Sequence, residues 1–181
     1  MGKTFFSPKH DSFICDNCNE HVQYLQINEL FVKYKNIKKY DICVTYMGDT
    51  EIIISERLEG ILISENVTGV KFSSIYNIDS LEVIKDFYHL QLDIGIGEVV
   101  EPAIIEKEKK CNICGYKKFL CPTPLYFKKE SWKELDMSFT QNWFGSPPIT
   151  QGKWVIISQR LYRILKENNI KHIDVQPAFL I

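Results

Sequence analysis

Two segments of this chain repeat nearly the same phrase, and any fold must accommodate both copies. "IIISERLEGILISENVTGVKF" occupies residues 52–72, and "VIISQRLYRILKENNIKHIDV" occupies residues 155–175. Each copy opens on a short β-branched run, which is typical of a strand buried on both faces. Ser55 and Ser158 come directly after these runs and supply the hydroxyl that caps a helix N-terminus.

The residues after each serine predict a short amphipathic helix. Apolar residues recur at i, i+3 and i+4, so one stripe of each helix faces a sheet. The stretch from Asn66 to Gly69 and the pair Asn168-Asn169 end the two helices, and "VKF" and "IDV" then predict a second strand. Each unit is therefore predicted to be strand, capped helix and strand. The helix stripes are Leu58, Ile61 and Leu62 in the first copy and Leu161, Ile164 and Leu165 in the second.

A pair of cysteines with a two-residue spacer precedes each copy. "CDNC" contains Cys15 and Cys18, and "CNIC" contains Cys111 and Cys114. The two halves thus run in the same order, which indicates an internal duplication. The predicted fold is α+β, with duplicated strand-helix-strand units and a zinc-ribbon-like element formed by the two CxxC knuckles. We expect one domain, residues 1–181, made of two pseudo-repeats, about 1–80 and 85–181.

The two CxxC pairs have the ligand set of a tetrahedral zinc site, because the spacer lets both sulfurs of a knuckle face one ion. Cys15, Cys18, Cys111 and Cys114 are the predicted ligands of a structural Zn²⁺, and Cys121 is a rival for the fourth place. A redox CxxC pair and unliganded core thiols are the alternatives. Cys43 is predicted to be a small core residue.

The composition of the chain limits which classes of binding partner are expected. The 181 residues include 22 basic and 23 acidic side chains, so no overall field attracts nucleic acid or an anionic membrane. The start, "MGKTFFSPKHDSF", lacks the apolar stretch of about 7–15 residues found in secretory signals. We therefore expect a cytoplasmic protein with reduced cysteines and no membrane partner.

No catalytic pattern emerges from the sequence. The four histidines share no recognisable spacing with a nucleophile or a carboxylate, and capping accounts for Ser55 and Ser158. Four thiolate ligands would also leave zinc without an open position, as in structural sites. The sequence therefore predicts that the protein is not an enzyme. The histidines are His10, His21, His89 and His172.

One segment suggests a surface for another protein. "NWFGSPPITQG", residues 142–152, concentrates Gly, Pro and Ser and predicts an irregular loop. Trp143 and Phe144 lie in it, and exposed aromatic side chains there would suit the centre of a protein interface.

The chain resembles the double-CxxCG-motif immunity proteins encoded beside bacterial polymorphic toxins. The likeness depends on the two CxxC pairs, on "SWKELDMSF" with Trp132, Asp136 and Phe139, and on "IISQRLYRILKENNIKHIDVQPAF" near the end. It spans most of the chain, although the first pair has Asn19 where the motif has glycine. The resemblance implies a bacterial cytoplasmic protein that binds and neutralises one cognate toxin domain, with zinc as a structural staple.

Two other functions remain open at this point. In a zinc-ribbon nucleic-acid-binding module, "KKCNICGYKK" would contact phosphates, but the neutral overall charge argues against it. In a metal-dependent hydrolase, zinc would have three protein ligands and a water molecule. The sequence does not fix the oligomeric state.

Overall fold

The β-branched runs and serine-capped segments become short strands and helices. The computed structural model describes residues 13–14, 17, 21–23, 29–37, 40–44, 51–100, 111–113, 124–144, 152–171 and 173–181. Up to residue 100 the elements are β1 (Phe13–Ile14), β2 (His21–Gln23), β3 (Leu30–Val32), α1 (Tyr34–Ile37), β4 (Ile42–Val44), β5 (Ile52–Ser55), α2 (Glu56–Ser64), β6 (Val70–Asn77), β7 (Val83–Leu92) and β8 (Ile94–Ile96).

The rest of the described chain adds four strands, a 3-10 turn and one α-helix. These are β9 (Leu125–Phe127), a 3-10 turn (Lys129–Ser131), β10 (Met137–Phe144), β11 (Gly152–Ile157), α3 (Gln159–Glu167) and β12 (Ala178–Leu180). The predicted α+β class is confirmed by this mixture. Among the described residues, no helix has the length and apolar character needed to cross a membrane.

The largest sheet has five strands in the order β3-β6-β7-β5-β4. β3 runs parallel to β6, and the other neighbours are antiparallel. A second sheet has the order β11-β10-β8, with β10 antiparallel to β11 and parallel to β8. β12 pairs in parallel with β9, and β1 pairs with β2. The two predicted strand-helix units therefore enter different sheets.

Both predicted helix caps are confirmed. The Ser55 and Ser158 hydroxyls accept hydrogen bonds from the N–H groups of Leu58 and Leu161, at 3.2 and 3.0 Å. An asparagine with positive φ lies two residues after the end of each helix, 51° at Asn66 and 55° at Asn169. Asparagine tolerates this left-handed conformation better than most residues, and the turn satisfies the last helical carbonyls.

The two helices share one hydrophobic core, which explains the apolar stripe that both copies carry. Leu58 and Leu62 of α2 lie in the same buried cluster as Leu161, Ile164 and Leu165 of α3. Ile52, Ile54 and Leu90 of the five-stranded sheet complete that side of the cluster. Burial of each such side chain stabilises the fold by about 1.5–3 kcal/mol.

Alternation along β5 places a second core on the other face of the sheet. Ile53 points away from the helices and packs with Leu30, Val32, Ile75 and Phe87. Cys43 packs against this cluster, so its prediction as a core residue is confirmed. A third cluster lies around β9, and Phe144 is buried in it with 3% of its surface exposed.

Two sequence predictions are wrong. The predicted loop at residues 142–152 begins too early, because β10 continues to Phe144 and buries that side chain. The predicted return strand at residues 173–175 is also absent, since this segment runs without strand pairing and β12 starts at Ala178. The corresponding strand of the first copy, β6, is present.

Candidate functional site

The two cysteine segments meet in the folded chain. Asn17 lies in the spacer between Cys15 and Cys18, and its side-chain amide donates a hydrogen bond of 3.3 Å to the Sγ atom of Cys111. The same amide nitrogen lies 3.3 Å from Oδ1 of Asn112. Residues 94 positions apart in sequence are thus in contact at the start of the second CxxC pair.

Of the predicted ligands, the structure describes Cys111, which is half-buried. Cys15, Cys18, Cys114 and the rival Cys121 lie outside the described residues. Within those residues, no three His, Cys, Asp or Glu side chains converge on one point.

The contact at Cys111 fits a zinc knuckle. An amide that donates to a cysteine sulfur stabilises the thiolate form, which is the form that binds metal. Asn17 and Asn112, one from each CxxC spacer, are in contact, and a four-thiolate site shared by the two pairs needs such an approach of the two segments. The described part of this region is therefore compatible with a Zn²⁺ site.

Asp136 is the centre of the densest polar network that the structure describes. Its carboxylate accepts hydrogen bonds from Nε and Nη2 of Arg160 at 3.0 and 2.5 Å, and from the hydroxyl of Ser158 at 2.7 Å. Thr68 donates to it through both its backbone N–H and its hydroxyl, each at 3.0 Å. We call Asp136, Ser158, Arg160 and Thr68 the Asp136 network. It joins the N-terminus of α3 to the segment after α2.

The first copy has a smaller counterpart, the Asp41 network of Asp41, Ser55 and Arg57. The carboxylate of Asp41 accepts from the Ser55 hydroxyl at 2.8 Å and from Nη1 of Arg57 at 2.6 Å. As in the Asp136 network, the serine that caps the helix also donates to an aspartate that directly precedes the neighbouring strand. The caps are therefore fixed in orientation as well as present.

Each arginine also reaches the C-terminus of the other helix. Nη2 of Arg57 donates to the carbonyl of Asn168 at 2.5 Å, and Arg160 donates to the carbonyls of Glu65 and Asn66 at 3.0 and 3.3 Å. The carbonyls at a helix C-terminus lack partners within the helix and carry partial negative charge, so a guanidinium there is favourable. The two helices are thus joined by a reciprocal pair of arginine contacts.

Gly69 allows the first half to approach Asp136 closely. Its φ is +87°, and a Cβ at this position would lie 2.1 Å from the carbonyl oxygen of Met137. The peptide group between Thr68 and Gly69 is also hydrogen-bonded to the other half, because the N–H of Met137 donates to the carbonyl of Thr68 at 3.1 Å. A glycine is required here for the backbone of one half to contact the backbone of the other.

The electrostatics of the Asp136 network favour the ionised carboxylate. Hydrogen bonds from the Arg160 guanidinium lower the pKa of Asp136 far below its ordinary value, and the Thr68 and Ser158 donors add to this effect against the opposing effect of burial. Asp136 is 7% exposed, so water contributes little to its solvation. Its charge is held by the protein's own donors.

A second polar cluster lies on the far face of the five-stranded sheet, and sequence reasoning missed it. Nδ1 of His89 lies 3.4 Å from the Ser73 hydroxyl, and Nε2 of His89 is in ion-pair contact with the Glu51 carboxylate. His89 is 2% exposed. Strand register alone brings these residues together, since Ser73 and Ile53 are the cross-strand neighbours of His89.

The order serine, histidine and carboxylate is shared with hydrolytic triads, but the geometry favours a structural role. The Ser73 hydroxyl also accepts a 3.4 Å hydrogen bond from the Gln91 amide, and His89 is enclosed within the sheet. A nucleophilic serine must present its hydroxyl oxygen to a substrate, and the histidine that acts as its base must stay within hydrogen-bonding distance of that oxygen. A histidine this deeply buried cannot do so. The cluster satisfies polar groups that the fold has buried.

We predict that Asp136→Asn lowers the free energy of unfolding much more than Asp41→Asn. Asp136→Asn leaves the Arg160 and Ser158 donors around a neutral amide in a mostly buried site, at a cost of about 2–3 kcal/mol. The Asp41 side chain is 26% exposed and Arg57 52%, so the matched substitution costs about 1 kcal/mol or less. Denaturant unfolding of the two variants measures both costs, and equal losses would contradict the assignment of Asp136 as the centre.

The same network predicts acid sensitivity. Because the folded-state pKa of Asp136 is lowered, its contribution is fully present above the unfolded-state value of about 3.9. It is lost progressively as the pH falls below that value towards the folded-state pKa. The stability difference between wild type and Asp136→Asn should therefore be constant near neutral pH and shrink below about pH 4. Denaturant titrations over this range test it, and a pH-independent difference would exclude the ionised carboxylate as the cause.

Comparison of the chain with protein-family models, curated proteins and solved structures finds no match. The function must therefore be argued from the contacts of the chain itself.

Proposed function

We propose that the chain is an immunity protein that binds and neutralises a cognate bacterial toxin in the cytoplasm, with a structural zinc ion stiffening it. The observation that carries the proposal is the hydrogen bond from Asn17 to the Cys111 sulfur. It brings the spacer of one CxxC pair to the first cysteine of the other, which is the approach that a zinc ion shared by the two pairs would need.

In this proposal Cys15, Cys18, Cys111 and Cys114 hold the zinc, with Cys121 as the rival for one place. A closed set of four thiolates gives the ion a structural role without a reactive position. The ion would tie residues near the N-terminus to the middle of the chain. Apparent zinc-binding free energies of about 10–16 kcal/mol are comparable with the whole stability of a domain, so such a staple would be decisive.

The proposal includes a single domain built from two pseudo-repeats. It is supported by the paired serine caps, the paired asparagines of positive φ and the reciprocal contacts of Arg57 and Arg160. These features occupy equivalent places in the two copies. After the helices the copies diverge, since β6 enters the five-stranded sheet and the second copy leads to β12.

A rigid scaffold suits a neutralising protein. Such a protein needs a surface that keeps its shape, because ordering flexible groups on binding costs affinity. Here the helix termini are fixed to each other and to the sheets by charged hydrogen bonds. The proposed action is binding alone, without a chemical step.

We expect about one zinc ion per chain. Metal analysis of the protein purified without added zinc, with spectroscopy showing four sulfur ligands, is the direct test. Cys111→Ser should lose most of the metal and lower the melting temperature, while Cys43→Ser, a cysteine packed in the sheet, should keep it. Wild-type protein without metal, or equal metal in both variants, would overturn the zinc assignment.

Toxin neutralisation is tested with the gene beside this one. We expect it to encode a protein ending in a toxin domain, which stops growth when expressed alone and does not when co-expressed with this chain. The two proteins should co-purify, and Cys43→Ser should protect as wild type does. A neighbour without toxicity, or a toxin that neither binds this chain nor is relieved by it, would remove the immunity function.

A further inference from the structure

A large apolar groove runs along β11, and neither the zinc site nor the networks described above account for it. Its volume is about 840 Å³. One wall consists of residues 153–157 of β11, and another of residues 173–178. Val44 of β4 and Phe127 of β9 also line it. We call this cavity the β11 groove.

The groove follows the outer edge of β11 and extends over both of its faces, since Met137 of β10 and Ile96 of β8 also line it. Successive side chains of a strand point to opposite faces, so a cavity lined by consecutive residues 153–157 passes along the edge that joins the two faces. Within the part of the chain that the structure describes, β11 pairs with β10 and with no second strand. The groove therefore occupies the position of the next strand in the sheet.

Backbone N–H groups of β11 point into this position. The N–H of Trp154 donates to the Thr140 hydroxyl at 3.1 Å, and the N–H of Ser158 donates to the Asp136 carbonyl at 2.7 Å. Both are thus directed towards β10. Because alternate residues of a strand direct their N–H groups to opposite sides, those of Val155 and Ile157 face the groove.

The side chains around the edge are apolar and partly exposed. Trp154 is 36% exposed, Val155 37%, Val175 41% and Val44 71%. Lys153 and Asp174 are charged groups of opposite sign in the lining, so the groove attracts neither anions nor cations strongly. A segment bound in the groove must therefore present apolar side chains on both of its faces. Its backbone must also form hydrogen bonds with the peptide groups of β11 that face the groove.

We propose that the β11 groove receives an extended, mainly apolar peptide segment of a partner protein, which pairs as an added strand with the outer edge of β11. Main-chain hydrogen bonds would give affinity, and alternate side chains would enter the two apolar sides of the groove. The six residues of β11 set a paired length of about 20 Å. The proposal stands on the groove and does not require the partner to be a toxin.

The test uses random linear peptides displayed on phage and selected against the full chain. We expect enriched sequences with alternating apolar residues. Val155→Pro should weaken their binding about tenfold or more, because it removes an outward N–H while leaving the pairing with β10 intact. Val155→Thr keeps the N–H and the strand propensity, and should bind within about twofold of wild type.

A second measurement does not depend on the folding of a variant. N-methylation of the selected peptide on alternate residues removes its own strand hydrogen bonds, so the methylated peptide should bind wild type about tenfold more weakly or worse. No enriched peptide, or binding unaffected by N-methylation, would overturn the proposal. A dimer of this chain that Val155→Pro dissociates would assign the edge to a second copy and would overturn it as well.

Discussion

The carboxylate of Asp136 is the contact on which the connection between the halves depends. It lies at the start of β10, accepts hydrogen bonds from Ser158 and Arg160 of the second copy, and receives two more from Thr68 of the first. Burying a charged group is costly unless donors surround it, and here five donors do. Removing the Asp136 carboxylate would take away the acceptor that Ser158, Arg160 and Thr68 share, so the network constrains both halves together.

The Asp41 network repeats this arrangement of aspartate, serine and arginine, but its contribution to stability is smaller. Asp41 and Arg57 are more exposed than Asp136, and solvent screens their attraction. The repeated element is therefore the geometry, in which a capping serine and an arginine share one aspartate and the arginine extends to the other helix. Only the Asp136 network includes Thr68 and lies beside the close approach at Gly69, both contributed by the first copy, and these contacts make Asp136 the buried member of the pair.

Features that depend only on residues close in sequence could be predicted, whereas features that depend on which strands pair, and in which register, could not. The caps at Ser55 and Ser158 and the apolar helix stripes depend on neighbours within one turn, and the structure has them as predicted. The partnership of Asp136 with Arg160, and the cluster of Ser73, His89 and Glu51, depends on which strands become neighbours. The failed strand at residues 173–175 has the same cause: a β-branched run forms a strand only where a partner edge is aligned with it.

The contact of Asn17 with Cys111 lies between these cases, because the CxxC pattern predicted that distant segments meet without saying how. The β11 groove could not be anticipated, since it depends on a strand edge that has no second partner among the residues that the structure describes. Natural proteins usually protect such edges with charges, prolines or covering segments, because an open apolar edge invites aggregation. Lys153 is the one charged side chain that β11 carries, and Trp154, Val155 and Val44 surround the edge with partly exposed apolar surface. The added strand proposed above would cover this surface.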